Sequence, residues 1–210
     1  GRGVYKSTGG GRSWSFIGLE DAGVIGKVVI HPANPDVVYV AAVGHPFGPN
    51  KQRGLFRTTN GGKTWEKILY ISEKTGVVDV ALNPKNPREI YAGLWTAERK
   101  PWTLVSGSKE GGIYKSTDGG DTWKQLKGGL PQGMIGKVSI AVSPVKPERV
   151  WALIEAPAPK GGLYRSDNYG ETWKQVNKER DHLQRAWYYI HIYADPQDEN
   201  TVYSLNARFY

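Results

Sequence analysis

The chain contains no cysteine, so neither a disulfide nor a thiolate metal site can form, and the redox compartment leaves no trace in it. Methionine is almost absent too. Met134 is the only one, and a chain without an initiator Met or a secretory segment is expected to be a processed or trimmed product. No run approaches the roughly 18 apolar residues of a membrane-crossing helix, so no membrane span is expected. No stretch of convincing length carries a helical period. The four histidines, His31, His45, His182 and His191, are too scattered for a ligand spacing such as H-E-x-x-H. Neither a metal nor a cofactor is expected. What the chain does have is 27 Gly, 13 Pro, 8 Trp and 12 Tyr in 210 residues, with 39% hydrophobic residues. That is enough for one all-β domain with a sizeable core.

The glycines and tryptophans fall in a repeat. GGIYKSTDGGDTW, ending at Trp123, recurs as GRGVYKSTGGGRSW ending at Trp14, RGLFRTTNGGKTW ending at Trp65 and GGLYRSDNYGETW ending at Trp173. Alternation before the turn, an Asx and Gly cluster within it, and a β-branched residue with Trp after it describe a hairpin. A second unit fills the gaps. Pro32, Pro84, Pro144 and Pro196 are each followed seven residues later by an aromatic, Tyr39, Tyr91, Trp151 and Tyr203. Each copy reads as strand, Pro-rich turn, strand.

The order is therefore strand A, Pro turn, strand B, variable loop, strand C, Gly-rich turn, strand D. Four antiparallel strands per unit of about 40 to 50 residues describe a β-propeller blade. Apolar residues before each Pro fill successive positions, as in Val28, Val29 and Ile30. Strand A is thus expected to be the inner strand, buried on both faces. The single domain, 1–210, divides into a half blade over 1–18, blades over 24–70, 76–127 and 136–177, and a half blade over 187–210. Each turn Trp is expected to be buried at an equivalent place.

The net charge of +8 raises nucleic-acid binding. The repeat accounts for much of it. Lys6, Arg57, Lys115 and Arg165 share one position, and Lys67, Lys124 and Lys174 follow the Trp on outer strands, where Lys discourages edge-to-edge pairing. No basic cluster with interleaved aromatics stands apart from the repeat, so no nucleic-acid partner is expected.

The hairpin repeat resembles the Asp-box, the bacterial neuraminidase repeat S-x-D-x-G-x-T-W. The resemblance implies that Ser/Thr and Asp side chains hydrogen-bond backbone groups within the turn and that the aromatic lies beneath it. The Asp position holds Asp118, Asn60, Asn168 and, in the first copy, Gly9, so side-chain locking is expected to be weakest there. A calcium or ligand site in these side chains is the alternative to a structural turn. Over its whole length the chain is similar to large Asp-box propellers of bacterial sortilin-like and xyloglucanase-like proteins, especially in GHPFGPNKQRGLFRTTNGGKTW. About four blades' worth of sequence could close as a four-bladed ring or be part of a larger propeller. The resemblance favours the larger propeller, with the remaining blades of a parent chain or a second copy as partners. An extracellular or periplasmic location is expected.

Function is sought where the copies differ. The D-to-A and B-to-C loops vary in length and chemistry and share one face, opposite the Pro turns and Asp boxes, and variable loops on a rigid scaffold concentrate binding residues. The 95–111 loop carries Trp95, Arg99, Lys100 and Trp102. The 177–187 loop carries Arg180, Asp181, His182, Arg185 and Trp187. Flat rings beside Arg suit a carbohydrate or peptide ligand. Five residues before each Pro, strand A carries Lys27, Asp79, Ser139 and His191, polar groups that must be paired or wet. Candidate ligand-binding residues are Trp102, Arg185, Asp79, His191, Arg99, Trp95 and His182. The bland alternatives are loops packing their own aromatics and a ring of polar residues around water. A glycoside hydrolase would need two carboxyl groups about 5 to 9.5 Å apart. Asp21, Glu73, Asp79, Glu98 and Asp181 are available, but nothing in the sequence pairs them. A structural module of a larger assembly is the third reading.

Overall fold

The computed structural model describes residues 2–210; Gly1, which heads the first half blade, lies outside them. Its strands pair antiparallel throughout. Strands β1 (Tyr5–Lys6) and β2 (Ser15–Phe16) form a hairpin. Strands β3 (Val24–Ile30), β4 (Val38–Gly44), β5 (Gly54–Thr58) and β6 (Glu66–Leu69) follow as a sheet in chain order. The next sheet holds β7 (Thr75–Leu82), β8 (Ile90–Lys100), a short β9 (Thr103–Ser106), β10 (Gly112–Ser116) and β11 (Lys124–Gln125). Its path runs β7-β8-β10-β11, with β9 added beside β8. Then come β12 (Val138–Val142), β13 (Val150–Ile154), β14 (Gly162–Ser166) and β15 (Lys174–Asn177), and a closing hairpin of β16 (His191–Ala194) and β17 (Val202–Leu205).

The repeat fixes the register. Tyr39 lies opposite Arg57, Tyr91 opposite Lys115 and Trp151 opposite Arg165, the same pair of repeat positions in three sheets. Asx side chains close the Pro turns: Asn83 Oδ1 accepts from the N–H of Lys85 and Asn86, and Asp195 Oδ1 from those of Gln197 and Asp198. Apolar side chains meet between sheets. Tyr39, Leu55, Val80 and Ile90 form one core, and Tyr91, Ile140, Val150 and Trp173 form the next.

Three expectations need correction. Strands β7 and β12 are buried along both faces for most of their length, as read, but β3 alternates, with Val28 45% and Ile30 59% exposed. Strand β7 packs against β3 and β4 on one side and β12 on the other, whereas β3 packs against β7 alone among the inner strands described. The segment read as the 95–111 loop is mainly a β-hairpin: β8 runs on through Lys100, the chain reverses at Pro101 and Trp102, and Thr103–Ser106 pairs back against Ala97–Lys100. The box tryptophans are also unequal: Trp173 is buried, Trp65 and Trp123 half-buried, and Trp14 62% exposed. The aliphatic residue three places after each Trp lies against the central glycine of the next box: Ile17 against Gly62, Ile68 against Gly120, Leu126 against Gly170. Among the described residues nothing plays that part for Gly11, beside Trp14.

Candidate functional site

The two ends of the sheets have different chemistry. At one end the Pro turns and Asp boxes meet, through the amides of Gly61, Gly119 and Tyr169, which donate to the carbonyls of Asp36, Arg88 and Glu148. Ser116 Oγ accepts from the N–H groups of Asp118 and Gly120 and donates to Asp118 Oδ1. Asp118 accepts from the N–H groups of Asp121 and Thr122 and from Thr122 Oγ1. These bonds, led by the Thr122 hydroxyl, hold the carboxyl well below the usual carboxylate range. Asn60 and Asn168 are held similarly, each bonded to its box Ser/Thr and to the following Thr. The first copy keeps the two bonds to Ser7 Oγ and that of Trp14 Nε1 to the Gly11 carbonyl, but with Gly9 it has no Asx side chain to close the turn. The central glycines need their left-handed backbone, φ +92° at Gly62 and +101° at Gly120. Each box side chain is thus occupied by its own turn.

At the opposite end the connections between strands gather around a cleft of about 310 Å³. Trp95, Trp187, Lys137, Tyr188, His191 and Pro46 contribute to its walls. Trp95 and Trp187 meet edge to face, ring centroids 4.9 Å apart. Trp95 Nε1 donates to Ser106 Oγ, Ser106 donates to Glu155 Oε2, and the same oxygen accepts from the Lys137 amide. This chain fixes the plane of the Trp95 ring. The Lys137 ammonium lies 5.5 Å from the centre of that ring, on a residue only 7% exposed. Its one hydrogen bond among the described residues is a long one, 3.4 Å to the Tyr188 carbonyl. Burial pushes the Lys137 pKa down, against the pull of Asp79 and Glu155. Pro46 is held by Arg53, whose guanidinium is sunk in the fold and donates to the carbonyls of Val43, His45, Gly48 and Ala97.

Of the residues singled out in sequence, Trp95, Trp187 and His191 reach this cleft. The His191 imidazole is pushed to a lower pKa by desolvation and by Lys137, with Asp79 opposing. Asp79 is absent from the cleft walls and is spent on structure. Its Oδ1 accepts from Lys27 Nζ at 2.6 Å and the Val80 amide, its Oδ2 from Ser139 Oγ and the Ile140 amide, and Ser139 Oγ accepts from the Ile192 amide. The polar position of strand A is therefore a strap joining β3, β7, β12 and β16. Trp102 stands 79% exposed at the β8–β9 turn, and the Arg99 side chain is exposed beside it. Arg185 is exposed after the 3-10 turn Arg180–Leu183. His182 is buried, tilted against the Tyr210 ring and 3.2 Å from Ser204 Oγ. Asp21, Glu73, Glu98 and Asp181 do not line the cleft. Lys137 was the residue that sequence reasoning missed. Its signal was an alignment of the copies, which puts this charge where the others carry Ile25, Val77 and Tyr189.

The comparisons with known proteins agree with this architecture. The model of the family described as "Sortilin, neurotensin receptor 3" (Sortilin-Vps10) matches residues 2–148, and the BNR-Asp box repeat model matches residues 163–176. Xyloglucanase Xgh74A of Acetivibrio thermocellus is 28% identical over 130 residues, 52% of this chain and 13% of that protein. The photosystem II assembly lipoprotein Ycf48 of a Picosynechococcus species is 26% identical over 143 residues, 57% of this chain and 42% of that protein. The crystal structure of the xyloglucanase from Xanthomonas campestris superposes with a TM-score of 0.71 at 17% identity, covering 98% of this chain and 32% of that enzyme. The chain thus spans under half the length of each of these proteins and shares the fold of the corresponding part of the solved enzyme. With the family model covering the strands from β1 to the turn before β13, and an Asp-box model covering the last box, the chain belongs to the Sortilin-Vps10 family.

Proposed function

We propose that the sheets are consecutive blades of a larger propeller and that the cleft walled by Trp95, Trp187 and Lys137 binds a polar ligand, with a carbohydrate as the first candidate. The observation carrying this reading is the buried Lys137 ammonium, set against an aromatic wall with most of its hydrogen-bonding capacity unused. Desolvated donors of this kind gain from a ligand oxygen. Tyr188 and the edge of Trp187 offer apolar faces on which a sugar ring can rest. The similarity to a xyloglucanase favours a plant-type glucan over a peptide among the polar ligands. A peptide is the alternative, because an extended backbone offers carbonyls to the same ammonium. Such a role suits an extracellular or periplasmic protein. Whether the parent protein also hydrolyses its ligand is a separate matter, since no carboxylate lines the cleft among the described residues.

A glycan and peptide array followed by calorimetric titration tests the proposal. Xyloglucan oligosaccharides are expected among the binders, and Trp187→Ala is expected to weaken binding by about thirtyfold, the usual effect of removing a central anchor. Binding left intact in both Trp187→Ala and Lys137→Met would refute it.

A further inference from the structure

Four Lys or Arg side chains are buried among the described residues: Arg53, Lys115, Lys137 and Arg149. Three of them are compensated. Lys115 has Glu89 at 3.5 Å and the Tyr169 carbonyl at 2.7 Å. Arg149 has Asp167 at 2.6 Å and Glu199 at 3.4 Å, and Arg53 spreads its charge over four carbonyls. Lys137 is the exception. It forms no ion pair among the described residues, and its ammonium has only the long bond to the Tyr188 carbonyl.

The two carboxylates that pull on it are committed elsewhere. Asp79 holds Lys27 at 2.6 Å and is filled by Ser139 and two amides. Glu155 Oε2 accepts from Ser106 Oγ and from the Lys137 amide. The cleft walls hold no acid among the described residues; besides Lys137 their ionisable side chains are His191 and Tyr188. A buried cation without a countercharge is unfavourable, and a bound anion removes that penalty.

The surroundings of the ammonium narrow the choice of anion. It stands 5.5 Å from the centre of the Trp95 ring, and Val43, Pro46, Val78 and Trp187 make much of the remaining wall apolar. Such walls give a free inorganic ion a single donor and little else. They suit an anion carried on a ring that presents an apolar C–H face. A hexuronate is built this way, with its carboxylate attached directly to the sugar ring, so the ring can lie on the aromatic wall while the carboxylate accepts a charge-assisted hydrogen bond. A cleft of about 310 Å³ is at the low end for small-ligand sites and fits a short stretch of sugar chain.

On the carbohydrate reading of the cleft, on which this rests, we infer that the site selects an acidic carbohydrate, a uronate whose carboxylate pairs with Lys137 Nζ while its ring rests against Trp187 and Tyr188. The test titrates the 210-residue chain calorimetrically with two probes that share one backbone. One is a β-1,4-linked glucuronic acid tetramer, and the other is cellotetraose, its counterpart with a CH2OH group in place of each carboxylate. The acidic probe is expected to bind about tenfold tighter or more, as a charge-assisted hydrogen bond does over a neutral one. That preference is expected to shrink as salt is raised and to vanish in Lys137→Met. In the unaltered chain the acidic probe should also move the Trp95 indole N–H resonance in a saturable way, a readout that stands even if Lys137→Met folds poorly. Equal affinity for the two probes overturns this inference and leaves the carbohydrate reading standing, whereas binding of neither overturns both. A preference that survives Lys137→Met overturns it by placing the anion elsewhere. A tetraglutamate peptide bound as tightly as the uronate overturns it too, by making charge alone the determinant.

Discussion

The sheet formed by β7, β8, β10 and β11 ends in two unlike ways. At one end Ser116, Asp118 and Thr122 spend their hydrogen bonds on their own turn. At the other end Trp95 is fixed through Ser106 and Glu155, while the neighbouring Lys137 ammonium is left with one long bond. Saturated polar groups make a rigid, repeatable joint and have nothing left for a ligand. Desolvated, under-used groups on a rigid wall are what binding exploits. The boxes therefore serve architecture, and it is for the cleft that recognition is proposed.

The largest expected effect contrasts two residues of one repeat position. Trp173→Ala removes a buried ring and should cost about 3 to 5 kcal/mol in denaturant unfolding, while Trp14→Ala, at an exposed site, should fall within about 1 kcal/mol. Equal costs would mean that coverage by the preceding sheet does not set the worth of a box. Next comes the strap. Asp79→Ala leaves Lys27, Ser139 and two amides without their acceptor, and breaking such a buried pair costs about 3 kcal/mol or more. A loss no larger than that of a surface substitution would show that the strap does not join the sheets.

A smaller effect is expected at the cleft. Lys137→Met keeps the stem packed on Trp95 and removes the charge, so stability should change little while ligand affinity falls about tenfold, equivalent to about 1.4 kcal/mol. His191 supplies a pH dependence. Its folded pKa is depressed, so the unfolded chain binds the proton more readily, and stability should rise with pH across the interval that ends near the ordinary value of 6.5. His191→Gln should flatten that shallow rise. Smallest of all is Asp118→Asn, since Asn60 and Asn168 already make the same turn. Asp118 is held below its ordinary pKa of 3.8, so its contribution is present above that value and lost as pH falls below it. The Asn variant should lose that acid sensitivity in melts from pH 5 to pH 2 and change little at neutral pH.

Much of the fold was legible because each repeat position has one job. The Pro-to-aromatic interval fixed the A–B hairpins, and the Gly-rich turn fixed the C–D hairpins. The site was less legible. Strand A's polar position reads as a channel lining, but burial between sheets turned Asp79 inward, a tertiary fact with no local signature. Trp102 and Arg185 have the right chemistry for a binding surface, yet they sit on turns that carry them away from the cleft. Lys137 was readable only by comparing a copy with its siblings, and Arg53 only by knowing that four carbonyls converge on it.

The most direct test of the division between joint and cleft uses the eight tryptophan indole N–H resonances as reporters on both ends of the sheets at once. Titration with a xyloglucan oligosaccharide, or with whichever peptide the array selects, should move the signals of Trp95 and Trp187 in a saturable way and leave those of Trp14, Trp65, Trp123 and Trp173 in place. Saturable shifts confined to the four box tryptophans, with Trp95 and Trp187 unmoved, would contradict the assignment and put recognition on the Asp-box face.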